Sequence, residues 1–280
     1  MTINCHGKLI DLSSPKVMGI LNITPNSFYD GGKYAEEKSM LSQVEKMLNE
    51  GATFIDIGAY SSKPSAEYVT EEEEINRLVP IVKSVLQHFP ETLISVDTFR
   101  ANVAKAGIEN GACIINDIAA GSLDENMMET VAELQVPYIM MHMKGNPQTM
   151  QSLAQYGNIT KEILFYFSEK VAQARSLGIN DIIIDPGFGF AKTLEQNFEL
   201  MNSLELFQIL ELPILVGISR KSMIYKALET SAEFALNGTT VLNTIALQKN
   251  SNILRVHDVK EAIECVKLYQ KLSRSLGTQN

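Results

Sequence analysis

The 280-residue sequence contains no tryptophan and only three cysteines. Cys5, Cys113 and Cys265 form no Cys-x-x-Cys motif, and their odd number argues against both a disulfide framework and a zinc ribbon. Long hydrophobic runs are also missing: no stretch approaches the ~18 apolar residues of a membrane span, and the N-terminus shows no apolar signal segment. We therefore expect a cytoplasmic protein with no membrane partner.

Positive charge is scarce as well, because 24 Lys and Arg residues face 33 Asp and Glu residues, which gives a formal net charge of −9. A chain of this charge has no general attraction to nucleic acid or to anionic lipid. We expect no nucleic-acid partner, and an anionic ligand would have to be held by a local cluster of cations.

The rest of the composition is that of a folded globular protein, with 45% hydrophobic residues. Two domains of ~150 residues and one α/β barrel of ~250 residues both suit this length. No low-complexity tract or linker divides the chain, so we expect a single domain over residues 1–280.

Short β-rich apolar runs alternate with amphipathic segments along the chain. Three of these segments end on a glycine, at Gly51, Gly111 and Gly178, as a left-handed helix C-cap requires. Strands that alternate with helices pair in parallel, and eight such units close an α/β (β/α)₈ TIM barrel; an open doubly wound sheet, the alternative, lacks its Gly-x-Gly-x-x-Gly turn here. The predicted strands are residues 17–23, 53–57, 93–96, 113–118, 138–141, 182–184, 214–218 and 253–256.

A barrel brings the C-terminal ends of its strands to one face, where active sites lie. Some polar residues at these ends could instead cap the following helices. We weigh a structural anchor and a ligand contact equally for Asp56, and we expect His142 to be a wall residue. The polar residues at the predicted strand ends are Asn22, Asp56, Asp97, Asn116, His142, Asp185, Ser219, Arg220, Lys221, Arg255 and His257.

Cations gather at the ends of the last two predicted strands. Arg220, Lys221, Arg255 and His257 stand where barrels hold phosphate, which predicts an anionic ligand. On the first loop, Asn22 and Asp30 offer oxygen donors suited to Mg²⁺, which keeps its waters and shares a phosphate group.

The opposite side of the barrel mouth carries hydrogen-bond acceptors. Asp97, Asn116 and Asp185 suit a flat heterocycle that presents several N–H donors, and Lys221 could donate to its ring acceptors. Two other acidic features have structural interpretations: residues 71–74 predict a solvated first helical turn, and Asp258 predicts a helix N-cap.

Several short motifs at these positions follow a familiar order. They are MGILNITPNSF (18–28), DGG (30–32), ISVDT (94–98), IINDI (114–118), MHMKGNP (141–147), DPGFGF (185–190), GISRKS (217–222) and RVHDV (255–259). Over nearly the whole chain they resemble the dihydropteroate synthase family of the pterin-binding barrel superfamily.

This resemblance implies an enzyme of folate biosynthesis. The family condenses 6-hydroxymethyl-7,8-dihydropterin diphosphate with p-aminobenzoate to give 7,8-dihydropteroate and diphosphate, with Mg²⁺ and without a protein nucleophile. It also implies a homodimer and competitive inhibition by sulfonamides. The catalytic residues it implies are Asn22, Asp30, Asp185, Lys221, Arg255 and His257.

Carried over position by position, the resemblance also implies the binding residues. The pterin residues are Asp97, Asn116, Asp185 and Lys221. The diphosphate residues are Asn22, Arg255 and His257, and the metal residues are Asn22 and Asp30. The p-aminobenzoate residues are Ser62, Lys63, Pro64, Phe190, Lys221 and Ser222.

The chain departs from the family pattern mainly in its second loop. The family reads G-G-E-S-T-R-P-G there, and the departures fall at Ala59, Tyr60, Ser62, Lys63 and Ser65, with Asn26 replacing an Asp in the first loop. Two alternatives follow: a methyltetrahydrofolate–corrinoid methyltransferase, which has no use for the cation cluster, and a non-catalytic pterin-binding paralogue.

Overall fold

The computed structural model of the chain describes residues 1–23, 33–60 and 69–277. The strands are β1 (Thr2–Cys5), β2 (Lys8–Asp11), β3 (Lys16–Asn22), β4 (Phe54–Gly58), β5 (Leu93–Asp97), β6 (Ile114–Asp117), β7 (Tyr138–Met141), β8 (Ile182–Asp185), β9 (Leu215–Val216) and β10 (Ile253–Val256). The α-helices are α1 (Lys33–Glu50), α2 (Glu71–His88), α3 (Ala101–Glu109), α4 (Met127–Leu134), α5 (Ile159–Ser176), α6 (Leu194–Asn202), α7 (Ser222–Ala227), α8 (Leu236–Gln248) and α9 (Val259–Gly277).

Strands β3 to β10 form one parallel sheet in the order β8-β7-β6-β5-β4-β3-β10-β9. Its two edges meet, because Ile184 bridges Ile214 in parallel and the Ile184 N–H donates to the Pro213 carbonyl at 3.0 Å. The sheet is therefore a barrel surrounded by helices. The predicted (β/α)₈ architecture is confirmed, and the open doubly wound sheet is wrong.

The three glycines predicted to end helices do so with left-handed backbones. Their φ angles are +106° at Gly51, +104° at Gly111 and +89° at Gly178, a region that residues with a Cβ rarely adopt. Each glycine turns the chain from a helix toward the next strand. The local sequence thus determines where these helices stop.

The barrel interior is built in layers, because alternate residues of a strand point to the same face. The lowest layer is apolar and takes one residue from each strand: Met18, Phe54, Leu93, Ile114, Ile139, Ile183, Leu215 and Ile253. Two residues further along the same strands stand Ile20, Asp56, Ser95, Asn116, Met141, Asp185, Gly217 and Arg255. The interior therefore changes from apolar to polar toward the C-terminal ends of the strands.

The hairpin of β1 and β2 covers the apolar end of the barrel. Ile3, Cys5, Ile10 and Leu12 are buried in the same cluster as the lowest layer. The Asn4 N–H also donates to Asp181 Oδ2 at 2.8 Å. The hairpin was not predicted from the sequence, because its strands mix exposed polar with buried apolar residues and contain no continuous apolar run.

The acidic run at the start of α2 is not fully solvated as predicted. Glu74 is completely buried, where it accepts hydrogen bonds from Arg100 Nη1 at 2.6 Å and from Thr98 Oγ1 at 2.8 Å. The expectation is wrong for this residue because α2 packs its first turn against the segment that follows β5. In the part of the chain described, no helix combines the length and apolarity needed to cross a bilayer.

Candidate active site

The polar interior layer forms a connected cluster at the C-terminal ends of the strands. Asn116 Nδ2 donates to Asp56 Oδ2 at 3.0 Å, and Arg255 Nε donates to the same oxygen at 2.6 Å. Arg255 Nη2 reaches Asp97 Oδ2 at 2.5 Å. The structure therefore joins Asp97 and Asn116, predicted to bind pterin, to Arg255, predicted to bind diphosphate.

Charge and burial compete inside this cluster. Burial raises the pKa of Asp97 to about 7, although Arg255 opposes the rise and Asp56 reinforces it. Burial alone would lower the pKa of Arg255, but Asp56 and Asp97 outweigh it and the net shift is upward. Asp56 Oδ1 and Ser95 Oγ are buried without a hydrogen-bond partner among the described residues, so the cluster retains acceptor capacity.

Asp185 stands at the end of β8 and begins a turn over residues 187–190, which we call the 187–190 turn. Its Oδ1 accepts the Gly187 N–H at 2.8 Å. Burial raises the pKa of Asp185, and Lys221 is the strongest of the cations that oppose this rise. Gly187 has a φ of +72°, and a Cβ there would overlap the carbonyl oxygen of His142, so only glycine fits.

The side chain of Lys221 packs against the 187–190 turn, on the side of Asp185. Its Nζ donates to the Phe188 carbonyl at 2.5 Å and lies 4.6 Å from the centre of the Phe190 ring. Burial lowers the pKa of Lys221 to about 8, with Asp185 acting in the opposite direction. Phe190 and Lys221, both predicted to contact p-aminobenzoate, are therefore neighbours, and Ser222 follows as the first residue of α7.

The other predicted diphosphate residues lie on strands at the same rim. Asn22 ends β3 in register with Gly58, and Gly58 packs against Asp97. His257 follows β10, where its N–H donates to Ser219 Oγ at 3.1 Å and its Nδ1 lies 3.1 Å from the same oxygen. Burial and then Arg255 lower the pKa of His257.

Arg220 does not join the predicted cation cluster. Its Nε and Nη2 donate to the two carboxylate oxygens of Asp258 at 2.8 and 2.9 Å, and its Nη1 donates to the carbonyls of Ala232 and Glu233. Both carboxylate oxygens of Asp258 bind the guanidinium of Arg220, so an anion contact by Arg220 stays a prediction. The carboxylate of Asp258 holds this arginine, a role that its interpretation as an N-cap did not anticipate.

Some predicted site residues lie outside the described residues, and their assignments stay predictions. They are Asp30, Ser62, Lys63 and Pro64, together with the departures at Asn26 and Ser65. Of the other departures, Ala59 is buried and Tyr60 packs its ring edge-on against Phe99 at 5.2 Å.

His142 is the wall residue that the sequence predicted. It is buried, its ring meets Tyr166 edge-on at 4.8 Å, and burial followed by Lys192 and Lys144 lowers its pKa to about 2. The sequence analysis missed Lys192, a buried cation behind the 187–190 turn. Its signal was a lysine two residues after the DPGFGF motif, with Ala191 between them.

Comparisons with known proteins agree with this geometry. A family model described as pterin binding enzyme matches residues 18–257. The chain is 41% identical to the dihydropteroate synthase of Escherichia coli K12 over 272 residues, 96% of each chain. The relative from Haemophilus influenzae is also 41% identical, over 96% of this chain and 98% of its own.

Solved structures of similar proteins share the whole fold. The crystal structure of Yersinia pestis dihydropteroate synthase in complex with a sulfonamide drug superposes with a TM-score of 0.91 at 38% identity and covers 98% of this chain and 100% of its own. The Xanthomonas albilineans dihydropteroate synthase with 4-aminobenzoic acid superposes with a TM-score of 0.89 at 32% identity, covering 97% and 98%. The chain therefore belongs to the dihydropteroate synthase family of pterin-binding enzymes.

Proposed function

We propose that this protein condenses 6-hydroxymethyl-7,8-dihydropterin diphosphate with p-aminobenzoate, giving 7,8-dihydropteroate and diphosphate for folate biosynthesis. The observation that carries the proposal is a pair of polar clusters at the barrel mouth. Asp97, Asn116 and Arg255 are connected through Asp56 in one cluster, and Asp185 and Lys221 both bind the 187–190 turn in the other.

The two clusters suit the two edges of a pterin. Asp185 presents a buried carboxylate, which accepts two N–H donors of an amidine-like edge in a charge-assisted pair. Lys221 offers a cation to the acceptor atoms of the heterocycle, and Asp56 Oδ1 is a buried acceptor that lacks a partner among the described residues.

The leaving group is predicted to lie toward Asn22, Arg255 and His257. Arg255 donates to Asp97, a predicted pterin residue, so the predicted pterin and diphosphate subsites adjoin. These groups stabilise the negative charge that grows as the bond from the pterin methylene carbon to oxygen breaks and diphosphate departs with the electron pair. The arylamine nitrogen then donates its lone pair to that carbon and loses a proton to solvent.

Magnesium fits the donor chemistry at the rim. Asn22 supplies an amide oxygen at the end of β3, and Asp30 is predicted to supply a carboxylate. Such a sparse oxygen set suits Mg²⁺, which keeps several waters and binds phosphate groups. When bound, the ion would offset the charge of the diphosphate.

A homodimer is proposed through α8 and α9. These helices border an open groove of about 510 Å³, lined in part by Thr240, Cys265 and Leu268. Val241 and Leu268 are 50% and 68% exposed, and a second copy of the chain would cover them by two-fold symmetry. Sedimentation should show a dimer that Leu268→Glu converts to monomers, whereas Leu177→Glu, at the residue that caps the C-terminus of α5, leaves the dimer intact.

A cytoplasmic location and sulfonamide binding complete the proposal. Cys5, Cys113 and Cys265 are buried free thiols, as in a reducing compartment. Sulfonamide binding is supported by the similar Yersinia pestis protein, solved with such a drug.

The test is diphosphate release from the pterin diphosphate in the presence of p-aminobenzoate and Mg²⁺. We expect stoichiometric 7,8-dihydropteroate and diphosphate. Calorimetric pterin binding without turnover would instead indicate a non-catalytic paralogue, and methyl transfer from methyltetrahydrofolate to a corrinoid would indicate the methyltransferase alternative.

A further inference from the structure

The 187–190 turn is held from two sides by two lysines. On the site side, Lys221 donates to the Phe188 carbonyl. On the far side, Lys192 Nζ donates to the Gly187 carbonyl at 2.8 Å and to the Phe190 carbonyl at 2.9 Å. Carbonyls of the same turn therefore accept from a lysine in the site and from a lysine behind it.

The third partner of Lys192 is His142. Lys192 Nζ lies 3.1 Å from His142 Nδ1, within hydrogen-bonding distance, and burial lowers the pKa of Lys192 well below its usual value. Burial, followed by Lys192, lowers the pKa of His142 to about 2, so its imidazole is neutral near neutral pH. The Lys192 nitrogen thus has three partners inside the protein, and the residue is only 4% exposed, so it contacts the turn and not a substrate.

The turn has a second support from α6. The Gly189 N–H donates to Asn197 Oδ1 at 2.6 Å, and Asn197 Nδ2 donates to the Thr193 carbonyl at 2.6 Å. Phe188 is fully buried between these supports. The turn is thus fixed by side chains that themselves lie in the core, which is how a functional loop becomes rigid.

We propose that Lys192 is a positioning residue for the reaction, which fixes the 187–190 turn so that Asp185, Phe190 and Lys221 keep their mutual geometry. This inference rests on the proposed function, because those three residues are its predicted substrate contacts. Lys192 acts through the turn: Gly187 donates to Asp185, Phe188 accepts from Lys221, and Phe190 carries the ring beside Lys221.

The test compares Lys192→Met with the parent and with Lys105→Met, which removes an equal charge from the exposed face of α3. Methionine keeps the length of the stem but donates no hydrogen bond. We expect kcat/KM for the pterin diphosphate to fall at least ~tenfold, because small displacements of positioning groups are costly. The fall in kcat/KM should persist at temperatures well below the midpoint of thermal unfolding of the variant. A residue that only adds stability would leave KM unchanged at those temperatures.

A second readout needs no substrate. The protein has four histidines, so the imidazole ¹⁵N resonances of His142 can be resolved. We expect Lys192→Met to move the His142 Nδ1 resonance and Lys105→Met to leave it in place. Lys192→Arg, which keeps hydrogen-bond donors, should recover part of the lost kcat/KM.

The outcomes separate the two proposals. A folded Lys192→Met with kcat/KM within about twofold of the parent overturns the positioning role while the parent remains active. A parent that releases no diphosphate overturns the proposed function, and pterin calorimetry on parent and variant then still decides the positioning role. If Lys192→Met does not fold, Asn197→Ala tests the same turn through Gly189, and unchanged pterin affinity there contradicts the proposal.

Discussion

At the scale of single residues, Asp185 and Lys221 are buried groups whose charges depend on each other. Burial raises the pKa of the carboxyl and lowers the pKa of the ammonium, and each charge partly restores the other. Both side chains bind the 187–190 turn, because Gly187 donates to Asp185 and Phe188 accepts from Lys221, so their relative position depends on that turn. Changing either residue should affect binding more than stability.

For Asp185→Asn we expect a loss of pterin affinity of a few kcal/mol, because the amide lacks the charge and one of the two acceptors. Calorimetric titration of the folded variant with pterin measures this loss. Glu195→Gln, an exposed change at the start of α6, is the matched control and should bind like the parent. Affinity within about twofold of the parent for Asp185→Asn would remove Asp185 from the pterin site.

The pH dependence of activity should report Lys221. Its pKa is lowered to about 8, so it is protonated below that pH and loses its charge above it. We expect kcat/KM to fall as pH rises through about 8. Lys221→Arg should move this fall to higher pH, since a guanidinium keeps its proton. A basic limb that stays at the same pH in this variant would assign the titration to another group.

At the scale of elements, α2 is tied to the segment after β5 by a buried ion pair. Glu74 accepts from Arg100 and Thr98, and Arg100 Nη2 also donates to the Val69 carbonyl at 2.8 Å. The pair links the N-terminal end of the helix to residues that directly follow Asp97. The same helix turn carries Glu72, which is exposed.

We predict that Glu74→Gln lowers the free energy of unfolding by about 3 kcal/mol, because it removes a fully buried carboxylate that pairs with Arg100 Nη1. Urea unfolding followed by circular dichroism measures the change. Glu72→Gln removes an equal charge from the exposed side of the helix and should stay within about 0.5 kcal/mol of the parent. Equal effects of the two variants would show that net charge matters and the buried pair does not.

At the scale of the whole molecule, the N-terminal hairpin completes the core of the barrel. Its inward residues pack on the lowest interior layer, and its outward residues face solvent. Ile10 is 8% exposed and its neighbour Leu9 is 70% exposed. The same substitution at these two positions therefore compares a buried side chain with an exposed one. Without this cover, an apolar barrel end would meet water.

Ile10→Ser should lower the free energy of unfolding by about 3 kcal/mol, since it removes a buried side chain and places a hydroxyl in the core. Leu9→Ser should change the same quantity by less than about 0.5 kcal/mol. Chemical unfolding of both variants provides the comparison. A small effect of Ile10→Ser would mean that the barrel end does not depend on the hairpin.

The strand-end residues show how far the sequence alone can be read. Asp97, Asn116, Asp185 and Arg255 are recognisable because each ends an apolar run, and the barrel topology follows from eight strand–helix units. Lys192, Glu74 and the hairpin were missed, because their roles depend on partners that no local pattern reveals. A buried lysine and an exposed one look alike in a sequence.

The order of strands and helices, the helix ends at glycine and the motifs of the family were determined by the sequence itself, since each depends on residues within a few positions. Only the tertiary structure decided which charges meet. Arg255 binds Asp56 and Asp97 across 199 and 158 residues, and Arg220 binds Asp258 across 38 residues. Such pairings depend on barrel closure, which brings the ends of distant strands within hydrogen-bonding distance.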